Sequence, residues 1–333
     1  MEVCGTHTMS IAKAGIKSLL PPDTELVSGP GCPVCVTDQS EIDAVLALSE
    51  EKDVILTTYG DMIRVPGSVR GDSLARRKAS GARVEVVYSP LDTLTVAKEN
   101  PDKQVVFLGV GFETTAPGTA ALVKAIAEGG VRNATCLSLL KTCEPALRAL
   151  IADPGFNVQG FLLPGHVSTI LGEDGFRFLP EEFGLPAVIG GFEPEDVIRA
   201  LTLLMKQIRS GEPKLENAYR RAVRPEGNPI ARAILNEVFE PADSVWRGIG
   251  RIPASGLAIR EAYQAADAKR RFGLTIRDVP EPAGCRCGEV IRGKAHPEDC
   301  PLFGTVCFPE DPTGPCMVSS EGACAAAYKY REA

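Results

Sequence analysis

The residues of this chain best suited to chemistry are its eleven cysteines, which fall in three groups. Cys4, Cys32 and Cys35 lie near the start, and Cys136 and Cys143 lie mid-chain. Cys285, Cys287, Cys300, Cys307, Cys316 and Cys324 crowd a single short stretch. In a reducing compartment such clusters more often bind metal or carry redox chemistry than form structural disulfides. The run Gly29-Pro30-Gly31-Cys32-Pro33-Val34-Cys35 holds two thiols in a loop of conformationally restricting residues. By itself it reads as a disulfide, as half of a metal site or as a redox-active pair.

The later cysteines are spaced differently. Zinc favours close cysteine pairs with two to four residues between them. Here only Cys285 and Cys287 are close, with one residue between, and the later gaps are 12, 6, 8 and 7 residues. Wide spacing with prolines near the thiols (Cys300-Pro301, Cys307-Phe308-Pro309) suits an iron–sulfur cluster better. Four thiolates hold a cluster, so two of the six are spare or are redox partners. The competing reading, buried free cysteines, fits poorly with so polar a segment.

Near the start, Cys4-Gly5-Thr6-His7-Thr8 joins a thiol, an imidazole and hydroxyls to a glycine that permits close backbone approach. Cys4 and His7 can reach one metal, although for such a pair alone core packing is the commoner role. Gly29–Cys35 follows one expected strand and precedes a helix, and in an open α/β sheet that turn is where ligands bind. Helical amides near Cys35 would favour its thiolate. Polar turns at other strand ends bring Asp61, Arg64, Glu113, Thr114, Thr115 and His166 to the same sheet edge. No Gly-x4-Gly-Lys-Ser/Thr phosphate loop occurs, and no Ser-His-Asp arrangement can be argued from spacing.

These residues need a scaffold, and the apolar pattern describes one. Strands are expected at Glu25–Ser28, Asp53–Thr58, Ala82–Tyr88, Gln104–Val110, Asn133–Leu139, Val158–Leu163 and Pro186–Ile189. They show little alternation, as strands covered on both faces should. A helix is expected after Asp38, with Glu41 completing a capping box. Another starts near Pro194 and carries Val197, Ile198, Leu201, Leu204, Met205 and Ile208. Strand–helix alternation implies parallel sheets with right-handed crossovers. Gly111-Phe112-Glu113 and Gly191-Phe192-Glu193 form a weak internal echo, each after a strand. Ile234–Val238, Trp246–Ile252 and Leu257–Ala266 read as connecting elements. From Val279 the chain is dense in Pro, Gly and Cys, and such a tail needs a staple. The expected division is an α/β domain over residues 1–112 that carries both N-terminal motifs, a second α/β domain over 113–225, and a C-terminal cysteine-rich domain over 226–333.

The chain has 333 residues, a net charge of −7, 44% hydrophobic and 24% charged residues. That length fits two or three domains. The acidic balance gives no basic face for nucleic acid. Arg76-Arg77-Lys78 and Lys269-Arg270-Arg271 read as solvated helix faces. No apolar run reaches the roughly 18–20 residues of a membrane span. Met1-Glu2-Val3-Cys4 lacks the basic and apolar regions of a signal peptide, so a cytoplasmic location is expected.

The segments CGTHT, GPGCPVC, GDMIRVPGS, VYSPLDTL, GFETTAP, PGHVS and CPLFGTVCFPEDPTGPCMVSSEGACAAAYKY closely resemble the HypD family of NiFe-hydrogenase maturation factors. The match spans nearly the whole chain. Members usually carry a helical segment before the CGTHT motif, whereas three residues precede it here. The resemblance implies two Rossmann-like α/β domains and a small irregular, partly helical domain with a 4Fe–4S cluster. It also implies a scaffold, shared with the small partner HypC, on which an iron gains two cyanides and one carbon monoxide. HypE would deliver cyanide made with HypF, and the finished Fe(CN)2CO unit would pass to the hydrogenase large subunit.

By the same resemblance, Cys4 is the iron-holding thiol and Cys32 and Cys35 are the electron-exchanging pair; His7, Glu113 and His166, read from the N-terminal stretch and the strand-end turns, complete the expected site. The cluster pattern falls on Cys285, Cys300, Cys307 and Cys324, with Cys287 as a rival for the first place and Cys316 outside the cluster. Soft thiolates and a supply of electrons suit low-spin iron with strong-field ligands. This describes an assembly scaffold more than a turnover enzyme. Two other readings compete: a freestanding iron–sulfur thiol–disulfide reductase, and a zinc-stapled α/β binding protein.

Overall fold

A computed structural model describes residues 1–277 and 279–330; the last three residues of the expected C-terminal domain therefore lie outside the described part, as does residue 278. The protein is mixed α/β with two parallel sheets. The first orders its strands β2-β1-β3-β4, namely β1 (Val54–Thr58), β2 (Arg83–Val86), β3 (Gln104–Gly111) and β4 (Ala134–Leu140). All three pairings are parallel. Helices cover both faces, so Ile55, Leu56, Val105, Val106, Phe107 and Leu108 are fully buried. This is why these strands read as unbroken apolar runs.

The second sheet is β5 (Phe161–Pro164), β6 (Ala187–Gly190) and β7 (Leu215–Asn217), again parallel. Its free edge is extended by the chain start: Glu2 bridges Leu162 on one side and Ser28 on the other, both in parallel. The expected strand Glu25–Ser28 is therefore reduced to a single bridge, because among the described residues Glu2 is the only one it pairs with. This pairing also attaches the CGTHT segment to the second sheet, whereas the sequence reading placed it with the first. The first sheet in turn runs through β4, across the expected 112/113 boundary.

After β7 comes an antiparallel hairpin, β8 (Phe239–Trp246) and β9 (Gly250–Ile259). It replaces the loose connections expected at Trp246–Ile252 and Leu257–Ala266. Gly248 and Gly250, at φ 72° and 98°, turn the chain between the strands where a side chain would be strained. Ile234–Val238 ends a helix, Pro229–Val238.

Three N-terminal helices hold the chemistry: α1 (Gly5–Lys13), α2 (Pro33–Val36) and α3 (Gln39–Leu48). Asp38 caps α3, and Glu41 returns the capping box by accepting the Asp38 N–H at 3.0 Å. Glu41 also meets the buried Lys141 ammonium at 3.1 Å, just past β4. Lys141 donates further to Ser244 and to the Val245 carbonyl, so one cation ties α3, the first sheet and the hairpin together. The helix Pro194–Ser210 buries Val197, Leu201 and Leu204 as expected, but leaves Ile198 and Ile208 exposed. Among the described residues no helix is long and apolar enough to cross a membrane.

Candidate functional site

Cys4 and the Cys-x-x-Cys loop meet through their backbones. The Gly5 N–H donates to the Gly31 carbonyl at 3.1 Å, and a side chain at Gly31 would run into the backbone of Val3 and Cys4. Cys32 and Cys35 form a disulfide with Cα atoms 5.2 Å apart, an ordinary span for such a bond. The Cys35 N–H donates to Cys32 Sγ at 3.2 Å.

Cys4 is the N-cap residue of α1; its thiol makes no capping hydrogen bond but lies on the side of the Thr6 and His7 N–H groups. Burial still dominates, and with the Glu321 charge it pushes the thiol up to about 12. Glu321 is held by Thr6, whose hydroxyl donates to it at 2.6 Å. Below Cys4 lies Glu2. Its carboxyl accepts the Cys4 N–H at 3.1 Å and the Thr8 hydroxyl at 2.6 Å.

His7 is fully buried. Its Nε2 donates to the Gly191 carbonyl at 2.9 Å, and its Nδ1 has no hydrogen-bond partner among the described residues. The ring packs on Phe192, on whose ring His166 stacks at 4.0 Å. His7 thus pins the CGTHT helix to the second sheet. His166 is exposed to solvent on its other face; partial desolvation lowers it, and the Glu321 charge acts in the opposite sense. Glu113, at the end of β3, is buried and raised for that reason. Its Oε1 accepts the Cys143 N–H at 2.8 Å, while Oε2 is unpartnered among the described residues. Of the remaining expected edge residues, Asp61 accepts from Ser319 and Ser320, whereas Arg64 and Thr114 face solvent.

Two buried groups here titrate in opposite senses. Burial raises Glu2 to about 7 and lowers His7 to about 4. Above pH 4.5 an unfolded Glu2 ionises while the folded one stays neutral, so its contribution to stability falls as pH rises toward 7. Below pH 6.5 an unfolded His7 takes a proton that the folded one refuses, so its contribution falls as pH drops toward 4. Each is worth about 3 kcal/mol and the two offset one another between these limits. Urea unfolding at stepped pH should show Glu2→Gln gaining stability relative to the parent as pH rises from 4.5 to 7. His7→Gln should gain relative to the parent as pH falls from 6.5 to 4. Parallel profiles in the two variants would refute this assignment.

The six later cysteines line a second cavity, walled by Leu302, Phe303 and Met317. Cys287 Sγ and Cys316 Sγ stand 2.7 Å apart. Cys307 Sγ accepts the Thr313 N–H at 3.3 Å, and the Gly314 backbone passes close beside Cys285 Sγ. Cys287 is held well below an ordinary thiol by its bonds from Cys285 and Cys316 and by the Arg247 charge. Among the described residues no three His, Cys, Asp or Glu side chains converge as ligands of a single ion would. The thiols ring a space instead, and an all-thiol donor set with an N–H directed at sulfur is the kind an iron–sulfur cluster takes.

The hydrogenase formation hypA family, HypD, matches residues 1–331. The hydrogenase maturation factor HypD of Azotobacter vinelandii is 44% identical over 336 residues, covering 99% of this chain and 88% of its own. That of Escherichia coli is 44% identical over 333 residues, covering 100% and 89%. HypD2 of Bradyrhizobium diazoefficiens is 43% identical over 337 residues, covering 99% and 88%. The chain belongs to the HypD family. Its role therefore lies in hydrogenase maturation.

For this HypD-family chain, the structure gathers Cys4, Cys32, Cys35, His7, Glu113 and His166 around one region, and Cys285, Cys300, Cys307 and Cys324 around another. Sequence reasoning left Cys143 and Glu321 without a role in the first. Cys143 follows β4 as Glu113 follows β3, so the rule that ligands gather at strand carboxyl ends could have found it. Its thiol is pushed well above the ordinary value by burial and by Glu113.

Proposed function

We propose that this protein is the scaffold and redox-active assembly factor on which the Fe(CN)2CO unit of NiFe hydrogenase is built. It works in complex with HypC, receives cyanide from HypE with HypF upstream, and yields the unit to the hydrogenase large subunit. The observation that carries this reading is the packing of Gly31 on Cys4, which sets the Cys4 backbone directly against the loop that carries the Cys32–Cys35 disulfide.

Cys4 is the iron ligand this chain contributes. Its thiol is neutral before iron arrives, so loading displaces a proton. The Thr6 and His7 N–H groups then face the thiolate, and Cys143, whose N–H Glu113 accepts, stands near enough to feel its charge. Cys32 and Cys35 exchange two electrons as disulfide and dithiol. Cys285, Cys300, Cys307 and Cys324 hold a 4Fe–4S cluster, whose chemistry when bound is one-electron transfer.

Cys4→Ala should abolish loading of the ligated iron while leaving the cluster in place. Infrared spectroscopy of the purified complex reads the cyanide and carbon monoxide stretches directly. Their survival in the variant would remove Cys4 from the role. The disulfide also supports a freestanding reductase. Catalysed turnover of a disulfide substrate without HypC or iron would favour that reading, for which Cys4 is surplus.

A further inference from the structure

The hydrogen bonds around the disulfide are uneven. Cys32 Sγ lies 3.3 Å from the Ser319 hydroxyl and 3.2 Å from the Cys35 N–H. Ser319 is itself buried, and comes from the cysteine-rich segment 287 residues further along. Its hydroxyl accepts the Glu321 N–H at 3.1 Å and stands 3.2 Å from Asp61 Oδ2. Asp61 Oδ2 also accepts the Ser320 N–H at 2.9 Å and the Ser320 hydroxyl at 2.8 Å. Ser319 has one proton and two acceptors. Against a disulfide sulfur, a weak acceptor, the proton goes to the carboxylate. Against a thiolate it can turn to sulfur, because Asp61 keeps two other donors.

We infer that Ser319, its hydroxyl held in place by Asp61 and the Glu321 N–H, is the positioning residue that stabilises Cys32 as the thiolate of the reduced pair and thereby sets the potential of the disulfide. On reduction the Cys32–Cys35 bond breaks and two electrons enter. Cys35 takes one proton and becomes a thiol, and Cys32 keeps its electron pair as a thiolate. With a dithiol as reductant, two thiols close to a disulfide and release two protons, one to Cys35 and one to solvent. Ser319 and the Cys35 N–H then both donate to Cys32, and hydrogen bonds to charged acceptors are the stronger ones. Ser319 also sits three residues after Cys316, so the same contact ties the pair to the cysteine-rich segment.

This inference rests on the pair being a reversible dithiol. The test is a titration of the full chain with reduced and oxidised dithiothreitol, read by alkylation and mass spectrometry of Cys32 and Cys35. Ser319→Ala should make reduction about tenfold less favourable, a shift of about 30 mV to more negative potential. Ser319→Thr keeps the hydroxyl and should restore the parent value. A parent pair that never reduces reversibly would defeat the dithiol reading itself. A reversible parent with an unshifted Ser319→Ala would defeat only the role of Ser319. A second measurement needs no variant: in the reduced parent, iodoacetamide should modify Cys32 at least tenfold faster than Cys35. Equal rates, or a faster Cys35, would overturn the assignment.

Discussion

Gly31→Ala should abolish hydrogenase maturation and cost about 3 kcal/mol of stability or more. The added methyl would overlap the Cys4 nitrogen and the Val3 carbonyl carbon and lie 2.6 Å from Cys4 Cα. All three are backbone atoms, so no rotamer change relieves the clash. The two segments must part, and the Gly5 N–H to Gly31 carbonyl bond goes with them. Cys4 then moves away from the Cys32–Cys35 disulfide, which separates the thiol proposed to hold iron from the pair proposed to exchange electrons. Gly29→Ala is the control. Its methyl would meet the Met1 and Val3 side chains, whose ends can yield, and the Glu2 backbone carbonyl oxygen at 2.9 Å, so a loss smaller than that of Gly31→Ala is expected. Urea unfolding and hydrogenase activity in a strain lacking its own copy measure both effects. A Gly31→Ala protein with parent-like stability and activity would show that the contact between Cys4 and the loop is dispensable.

The parts of the fold that were legible are those whose cause is local. Val54–Thr58 and Gln104–Gly111 are largely apolar and do not alternate, because both of their faces are covered, and that composition survives in a single sequence. The Asp38–Glu41 box is likewise a short-range device. Pairing partners are not local. Nothing in Met1-Glu2-Val3 announces that Glu2 sits between Ser28 and Leu162, so CGTHT was assigned to the wrong sheet. The hairpin over 239–259 was obscured because Pro241 and three glycines interrupt its strand pattern.

The same division holds at the site. Glu113 and His166 were found from turns at strand ends. Glu321 reaches Thr6 from 315 residues away and carries no motif of its own, so only the folded chain brings it there. His7 was expected near Cys4 as a candidate ligand. Its Nε2 is spent on the Gly191 carbonyl and its ring on Phe192, so it acts chiefly by fixing where Cys4 stands.

Single alanine replacements in the cysteine-rich segment should divide into two classes. Cys285→Ala, Cys300→Ala, Cys307→Ala and Cys324→Ala should each take anaerobically purified protein from about four bound irons to none, with loss of its broad visible absorbance. Cys287→Ala and Cys316→Ala should keep the iron. The reason lies in the 2.7 Å contact between Cys287 and Cys316, which pairs these two sulfurs with each other although all six thiols line the cavity. Loss of the cluster should also loosen the segment, because helices such as Cys287–Val290 and Pro315–Val318 are only one turn long and the chain between them is irregular and dense in Pro, Gly and Cys. Limited proteolysis should then cut it in the four ligand variants and spare it in the other two. If Cys287→Ala loses the iron while Cys285→Ala retains it, the first ligand moves to Cys287 and the close pair cannot be a separate dithiol. If zinc in place of iron and sulfide accompanies the parent protein, the cluster itself is excluded.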